Sequence, residues 1–174
     1  MDAIGVYWRL IIFVITGMSR VIFENILQKI AYAPELYHRL ILVVGPAGAG
    51  KTKALQELHQ ETDAPLINVN LELSQKMLEM TERQQILRLP RLLDELLAST
   101  SGEVVLLDNI ELLFHPRFQQ DPLRLLQKLA RNRTLVVAWN GVIRQEHLIY
   151  AEPDHPEYRT YPARDLQIVQ LASQ

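Results

Sequence analysis

The chain has 174 residues, no cysteine and a formal net charge of −2. This length suits one domain with one sizeable core, and 48% hydrophobic with 22% charged residues is ordinary for a globular protein. Without cysteine there are no disulfides, catalytic thiolates or cysteine-based zinc sites, which fits a reducing compartment, and we expect a cytoplasmic protein. The small net charge gives no electrostatic argument for direct binding of nucleic acid.

The first 18 residues are an apolar segment that we treat separately from the domain at 19–174. Arg9 interrupts the run at 3–18, and the run is shorter than the roughly 20 residues that a membrane span needs. Asp2 stands where a secretory signal would carry positive charge. We therefore expect no membrane anchor, and favour translation from Met18 or a segment that packs on the domain.

Residues 19–33 are predicted to form a helix, with Ser19 as its cap and Pro34 at its end. Two interpretations stay open. The helix either lies across the start of the following strand, where it would border an adenine base, or it simply covers the core.

A glycine-rich segment follows the first predicted strand. The apolar run at 41–44 leads into a G-x-x-x-x-G-K-T sequence, the P-loop or Walker A pattern. Glycines let successive N–H groups surround a phosphate, and the next helix aims its positive dipole end at the same point. Lys51 would contact the β- and γ-phosphates of ATP, and Thr52 would offer a hydroxyl to Mg²⁺. The predicted binding residues are Gly45, Pro46, Ala47, Gly48, Ala49, Gly50, Lys51 and Thr52.

The middle of the chain alternates between helix and strand patterns. Helices are predicted at 51–61 and within 72–99, and strands at 66–69 and 103–107. Ser74 is a candidate cap for a new helix, and Pro90 is expected to break or kink the second helical stretch.

Asp108 ends the strand at 103–107 and gives it the Walker B form of four apolar residues followed by an acid. At the tip of a strand beside the P-loop strand, this carboxylate would bind Mg²⁺. The next position, where many ATPases place the water-activating Glu, holds Asn109, which can orient a water but cannot accept its proton. Glu111 could reach back from a helical turn, so it is the preferred base, with a plain surface acid as the alternative.

Asp121 and Pro122 predict a helix start, and 134–138 is the next strand. Asn140 follows that strand at the position of a sensor that touches the γ-phosphate or the attacking water; the alternative is a turn-forming Asn-Gly pair. Arg131 and Arg133 precede the strand. They would either enter the site of a neighbouring subunit as an arginine finger or cap a helix C-terminus.

The C-terminal part predicts a hairpin or projecting loop within 148–161 and a last strand at 166–171, at the edge of the sheet. Alternating strands and helices predict an α/β fold, with a mostly parallel sheet between two helical layers. Lys51, Asp108 and Asn140 should then meet at the carboxyl edge of the strands.

Together, GPAGAGKT, VVLLDNIELLF, the Arg131/Arg133 pair before TLVVAWNG, and HPEYRTY resemble BrxF, the family of small P-loop proteins of BREX-type bacteriophage-defence systems. The resemblance covers 19–174. It implies an ATP- and Mg²⁺-binding core similar to the AAA+ type, encoded beside other defence components. About thirty residues follow Asn140, too few for a helical lid domain.

Two function classes stay open. The first is an ATP-hydrolysing subunit that acts as a homo-oligomer or with other BREX proteins, and contacts DNA only through that complex. The second is a poorly hydrolysing adaptor that signals ATP state to its partners. Asn109 in the usual position of the base and the short tail favour the second class, whereas the intact Walker A and B patterns favour the first.

Overall fold

A parallel sheet of five strands forms the centre of the domain. The structure of the protein is a computed structural model, and it describes residues 20–172. In spatial order the strands are β2 (Leu66–Asn68), β3 (Val104–Asp108), β4 (Thr134–Asn140), β1 (Leu40–Gly45) and β8 (Gln167–Gln170). Every neighbouring pair is parallel, which confirms the predicted sheet, and β8 lies at an edge as expected.

Helices cover both faces of this sheet. On one face, Ile41 and Val43 of β1 pack against α1 (Arg20–Tyr32) and α2 (Lys51–Thr62). On the other face, Leu42 and Val44 share a core with the remaining helices, α3 (Val69–Met77), α4 (Glu82–Ala98) and α5 (Pro122–Leu129). Successive side chains of a strand point to opposite faces, so the continuous apolar run of β1 is buried on both sides. The predicted three layers are therefore confirmed.

Two corrections apply to the middle of the chain: Ser74 does not cap a helix, and the chain does not break at Pro90, the first of the two outcomes expected there. Ser74 lies inside α3, and the cap of the next helix is Thr81, which forms a capping box with Gln84. Pro90 lies inside α4 and does not end it. An internal proline costs a helix about 3 kcal/mol. The buried leucines of α4, at roughly 1.5–3 kcal/mol each, outweigh this cost: Leu89, Leu92, Leu93, Leu96 and Leu97.

The lateral order of the strands differs from our expectation. Asp108 does not end a strand that neighbours β1, because β4 lies between β1 and β3. Hydrophobic periodicity identifies a strand but carries no information about which strand lies beside it.

A second, antiparallel sheet of three strands follows β4. It contains β5 (Val142–Arg144), β6 (His147–Tyr150) and β7 (Arg159–Pro162). The pairing of β6 with β7 confirms the predicted hairpin, whereas β5 was not predicted. The turn between β5 and β6 is formed by Gln145 and Glu146, with φ of 48° and 61°, as a two-residue hairpin turn requires.

An aromatic cluster joins this small sheet to the main one. The ring of Phe114 stacks on Tyr150 of β6 at a centroid distance of 3.5 Å. It also meets Trp139 of β4 edge-on at 4.9 Å. The ring of Tyr161 of β7 also meets Trp139 edge-on, at a centroid distance of 5.9 Å. Burial and neighbouring carboxylates raise the pKa of both Tyr150 and Tyr161, so both phenols stay neutral near pH 7.

The predictions for residues 1–18 and the helix cap at Ser19 fall outside the described part of the chain. Within residues 20–172, none of the helices has the length and apolar character to span a membrane.

Gly141 connects the two sheets, and we expect Gly141→Ala to destabilise the protein by about 2–3 kcal/mol. Its φ is +155°, and an added Cβ would lie 2.0 Å from the Ile149 carbonyl oxygen. Urea unfolding followed by circular dichroism measures the loss. Ala151→Gly is the control in the same region; it should be close to neutral, because Ala151 already has φ of +61°. Equal stability of Gly141→Ala and the wild type would contradict this account of the junction.

Candidate functional site

The parallel register brings the ends of four strands to one edge of the sheet. Gly45, the last residue of β1, is opposite Asn140, the last residue of β4. Asp108 at the end of β3 is opposite Asn68 at the end of β2. The P-loop, Asp108 and Asn140 therefore lie at the carboxyl edge of the sheet, as predicted; this concerns their positions and not their roles.

The loop between β1 and α2 has the open backbone that a phosphate site needs. Gly48 and Gly50 have φ of +80° and +89°, and a Cβ added at either would meet nothing within 4 Å. Gly50 occupies the cap position of α2 and has no side chain that could bond the N–H groups of the first helical turn. These N–H groups lack partners within the helix, and they face the loop together with its positive dipole end.

Gly45 closes this loop against its neighbours. A Cβ on Gly45 would lie 2.9 Å from the Cβ of Ala49 and 3.3 Å from that of Leu171. The Gly45 carbonyl oxygen accepts a hydrogen bond of 3.0 Å from the Gly141 N–H. The loop after β1 is therefore fixed directly to the residue that follows β4.

The Lys51 side chain folds back into this loop. Its Nζ donates to the carbonyl oxygens of Gly45, at 2.8 Å, and Pro46, at 2.6 Å. Burial lowers the pKa of Lys51, and the charges of Asp108 and Glu111 oppose that shift in part. A bound phosphate would act in the same direction as these carboxylates, because a nearby negative charge stabilises the ammonium form.

Asp108 is buried, and its Oδ1 accepts a hydrogen bond of 2.9 Å from the N–H of Asn109. Asn109 has φ of +53°, a left-handed conformation that asparagine tolerates better than most residues. The chain therefore turns sharply after Asp108. A short 3₁₀-helix follows, Glu111–Phe114, and it directs the Glu111 side chain back toward the strand ends.

The Glu111 carboxylate lies between two side-chain amides. Asn140 Nδ2 donates to its Oε1 at 2.5 Å, and Asn70 Nδ2 donates to its Oε2 at 3.1 Å. The side chain of Asn140 thus donates to Glu111, so this residue does more than form an Asn-Gly turn. Each carboxylate oxygen keeps a second lone pair that can accept a proton from water.

Asn70 was missed by the sequence analysis. Its Oδ1 accepts from the Leu112 N–H at 2.9 Å, and its own N–H donates to the Asn109 carbonyl oxygen at 2.9 Å. Asn70 thus holds both ends of the turn that carries Glu111. The pattern that identified Asp108 and Asn140, a polar residue just beyond an apolar strand, applies equally to Asn70.

The residues present fit ATP with Mg²⁺. The loop offers the N–H groups at the start of α2 and Lys51, as a polyphosphate requires. The hydroxyl of the exposed Thr52 and the carboxylate of Asp108 would hold the metal. Within residues 20–172, no group of three or more His, Asp or Glu side chains is placed to hold a metal ion. Mg²⁺ commonly takes one or two protein ligands and completes its shell with phosphate and water.

The structure does not bring Arg131 and Arg133 to this edge. Both precede the first residue of β4 and lie at the opposite, amino edge of the sheet. Arg133 Nη1 donates to the carbonyl oxygens of Leu97, at 2.6 Å, and Thr100, at 2.8 Å. Arg133 therefore caps a helix C-terminus, as the alternative held, although the helix is α4. The guanidinium of Arg131 lies 4.9 Å from the centre of the exposed Tyr37 ring.

Two of three comparisons with known proteins found a match. Residues 41–141 match the sequence profile of the ATPase family associated with various cellular activities, AAA. No curated protein sequence matches the chain. A solved structure of C. elegans PCH-2 is similar, with 18% identity and a TM-score of 0.46, over 86% of this chain and 41% of that one. The chain thus spans less than half the length of that relative. Because the profile match covers more than half of its residues, the chain belongs to the AAA family of ATPases.

Proposed function

We propose that this protein binds Mg²⁺-ATP at the edge formed by β1, β3 and β4 and hydrolyses it with Glu111 as the general base. The observation that carries the proposal is the Glu111 carboxylate, held by Asn140 and Asn70 close enough to Lys51 to influence its pKa. Asn109, in contrast, uses only its backbone N–H and carbonyl group in the hydrogen bonds found among residues 20–172. Its left-handed turn places Glu111, and it has no direct role in this proposal.

In this scheme the protein residues position groups and stabilise charge. Bound Mg²⁺ supplies charge neutralisation on the phosphate oxygens. Lys51 and the N–H groups of the loop hold the β- and γ-phosphates, and Thr52 and Asp108 hold the metal. Asn140 fixes the Glu111 oxygen that accepts the proton of the attacking water.

The second candidate is an adaptor that hydrolyses ATP poorly and signals ATP state to partners. Its specific support is that amides occupy both Glu111 oxygens, which restrains the carboxylate. Either function fits a subunit of a BREX-type defence complex, which the resemblance to BrxF supports. Steady-state phosphate release by the purified protein, alone and with partner proteins or DNA, separates the two. An ATPase turns over repeatedly, whereas the adaptor binds ATP with little release.

We expect Lys51→Ala to abolish ATP binding or turnover while the fold persists. The loop shape is set by the backbone, and Lys51 supplies the charge for the phosphates. Equilibrium binding of ATP and circular dichroism test both parts. Lys53→Ala is the matched control, since it removes an exposed lysine from the same helix. A folded Lys51→Ala protein with wild-type affinity and turnover would remove the P-loop assignment.

We expect Glu111→Gln to bind ATP normally and to lose about 10²-fold or more in turnover, the scale of a lost general base. The glutamine keeps the size of the side chain but cannot accept the proton. Asn109→Gly is the comparison variant, because glycine keeps the left-handed backbone that places Glu111 and removes only the side-chain amide, and its loss should be smaller. If Asn109→Gly is the more damaging change, water is positioned by the Asn109 side chain and the proposed base is incorrect.

We expect hydrolysis to need a neighbouring subunit that supplies Arg131, because an arginine finger is worth about 10³–10⁵ in rate. Lys51→Ala subunits keep Arg131 but cannot use ATP, and Arg131→Ala subunits keep the nucleotide site. Each should be inactive alone, and a mixture should regain activity. Arg133→Ala should fail through stability, because its guanidinium caps α4. Turnover that is linear in the concentration of a protein that stays monomeric with ATP would contradict this dependence.

A further inference from the structure

Asn140 and Gly141 form an Asn-Gly pair, and no other asparagine in the chain is followed by glycine. An asparagine in this position is open to spontaneous deamidation, because glycine has no side chain that shields its backbone nitrogen. The pair lies at the end of β4, on the edge of the sheet that carries the proposed ATP site. The chemically most labile amide of the chain is therefore also the one that donates to Glu111.

Deamidation of this pair is a reaction of the chain with itself and with water. The Gly141 nitrogen gives up its proton and attacks Cγ of Asn140. A new bond from that nitrogen to Cγ closes a succinimide ring, and the bond from Cγ to Nδ2 breaks, so that Nδ2 takes up a proton and leaves as ammonia. Water then opens the ring at either of its carbonyl carbons and leaves aspartate or isoaspartate. The net reaction consumes one water, releases one ammonia and needs no oxidant or reductant.

Hydrogen bonds hold both reacting groups in the folded protein. The Gly141 N–H donates to the Gly45 carbonyl oxygen at 3.0 Å, and Nδ2 of Asn140 donates to Glu111 at 2.5 Å. Ring closure needs the nitrogen without its proton and Cγ turned toward it, so both hydrogen bonds have to open first. The pairing of Asn140 with Gly45 restricts the same movement of the main chain. The fold therefore slows a reaction that the local sequence favours.

Either product would disturb the position of the Glu111 carboxylate. Aspartate replaces the donor amide with a second carboxylate at contact distance from Glu111, and like charges this close repel each other. Isoaspartate adds one atom to the main chain before Gly141, which moves the Gly141 N–H away from its partner on Gly45. In both products, Glu111 loses the donor that now holds it.

We propose that Asn140 is a deamidation site that the folded protein protects, and that its conversion to aspartate or isoaspartate disables the Glu111 base. The loss of catalysis rests on the proposed function, whereas the modification and its protection do not. Glu111 thus has two effects on Asn140: it orients the amide and it keeps that amide from reacting.

The first test follows deamidation by peptide mass mapping during incubation at mildly alkaline pH, for the folded protein and for the protein held unfolded in urea. Asn140 should convert at least about tenfold more slowly in the folded protein, as expected when a hydrogen bond must open. Asn25 is the internal reference, because it is exposed on α1 and is followed by the branched Ile26. In urea it should convert more slowly than Asn140. Equal rates at Asn140 in the two states, or faster conversion at Asn25 in urea, would overturn the proposal.

The contribution of Glu111 is measured with Glu111→Ala, which removes the acceptor of the Asn140 amide. In this variant, shown to be folded by circular dichroism, Asn140 should convert at least about fivefold faster than in the wild type, because a charge-assisted hydrogen bond is lost. Glu79→Ala is the matched control, since it removes an exposed glutamate from the loop after α3. Equal rates in the two variants would overturn the protection by Glu111. The comparison of folded and unfolded wild type does not depend on either variant.

The second test measures phosphate release by samples taken during the same incubation. Turnover should fall in parallel with the fraction of intact Asn140. Asn140→Asp should bind ATP and lose about 10²-fold or more in turnover, the scale of a lost general base. Asn25→Asp makes the same chemical change on α1 and should keep wild-type turnover. Full turnover by Asn140→Asp overturns the inactivation. Fresh protein without turnover contradicts the proposed function instead, and the conversion rates still test the modification site.

Discussion

The site depends on one constraint, the parallel pairing of β1 with β4. The register of this pairing sets Gly45 opposite Asn140. The hydrogen bond from the Gly141 N–H to the Gly45 carbonyl oxygen extends this pairing one residue past the strands. It fixes the phosphate loop relative to Asn140, and Asn140 in turn holds Glu111. A slip of one residue would turn the Asn140 side chain to the other face of the sheet and release the carboxylate.

The turn after Asp108 makes the second contribution. Asp108 binds the N–H of Asn109, and the left-handed backbone at Asn109 reverses the chain, so that a carboxylate three residues beyond the Walker B acid returns to the strand ends. Asn70 stabilises the same turn by bonding Leu112 and Glu111 together. The helix that begins at Glu111 ends at Phe114, in the aromatic cluster. This turn therefore connects the proposed ATP site to the small sheet.

Local sequence patterns predicted much of this structure. The loop at Gly45–Thr52, the acid at Asp108 and the polar residue at Asn140 each combine a strand with a specific polar residue at its end, and such combinations are readable from one segment. Features that depend on two distant segments were not readable. These include the position of β4 between β1 and β3, and the hydrogen bonds from Arg133 to the carbonyl oxygens of Leu97 and Thr100 at the end of α4. The break expected at Pro90 does not occur, because the packing of its helix outweighs a local penalty.

The measurement that tests the central claim most directly is a double-mutant cycle between Asn140 and Glu111. The rate measured for each protein is the single-turnover release of phosphate at saturating Mg²⁺-ATP. Asn140→Ala, Glu111→Gln and the double variant are compared with the wild type. If Asn140 acts by holding the Glu111 carboxylate, the double variant is no slower than Glu111→Gln alone, since the two residues work as a unit. Losses that multiply in the double variant would show that the two residues act independently, and would contradict the account.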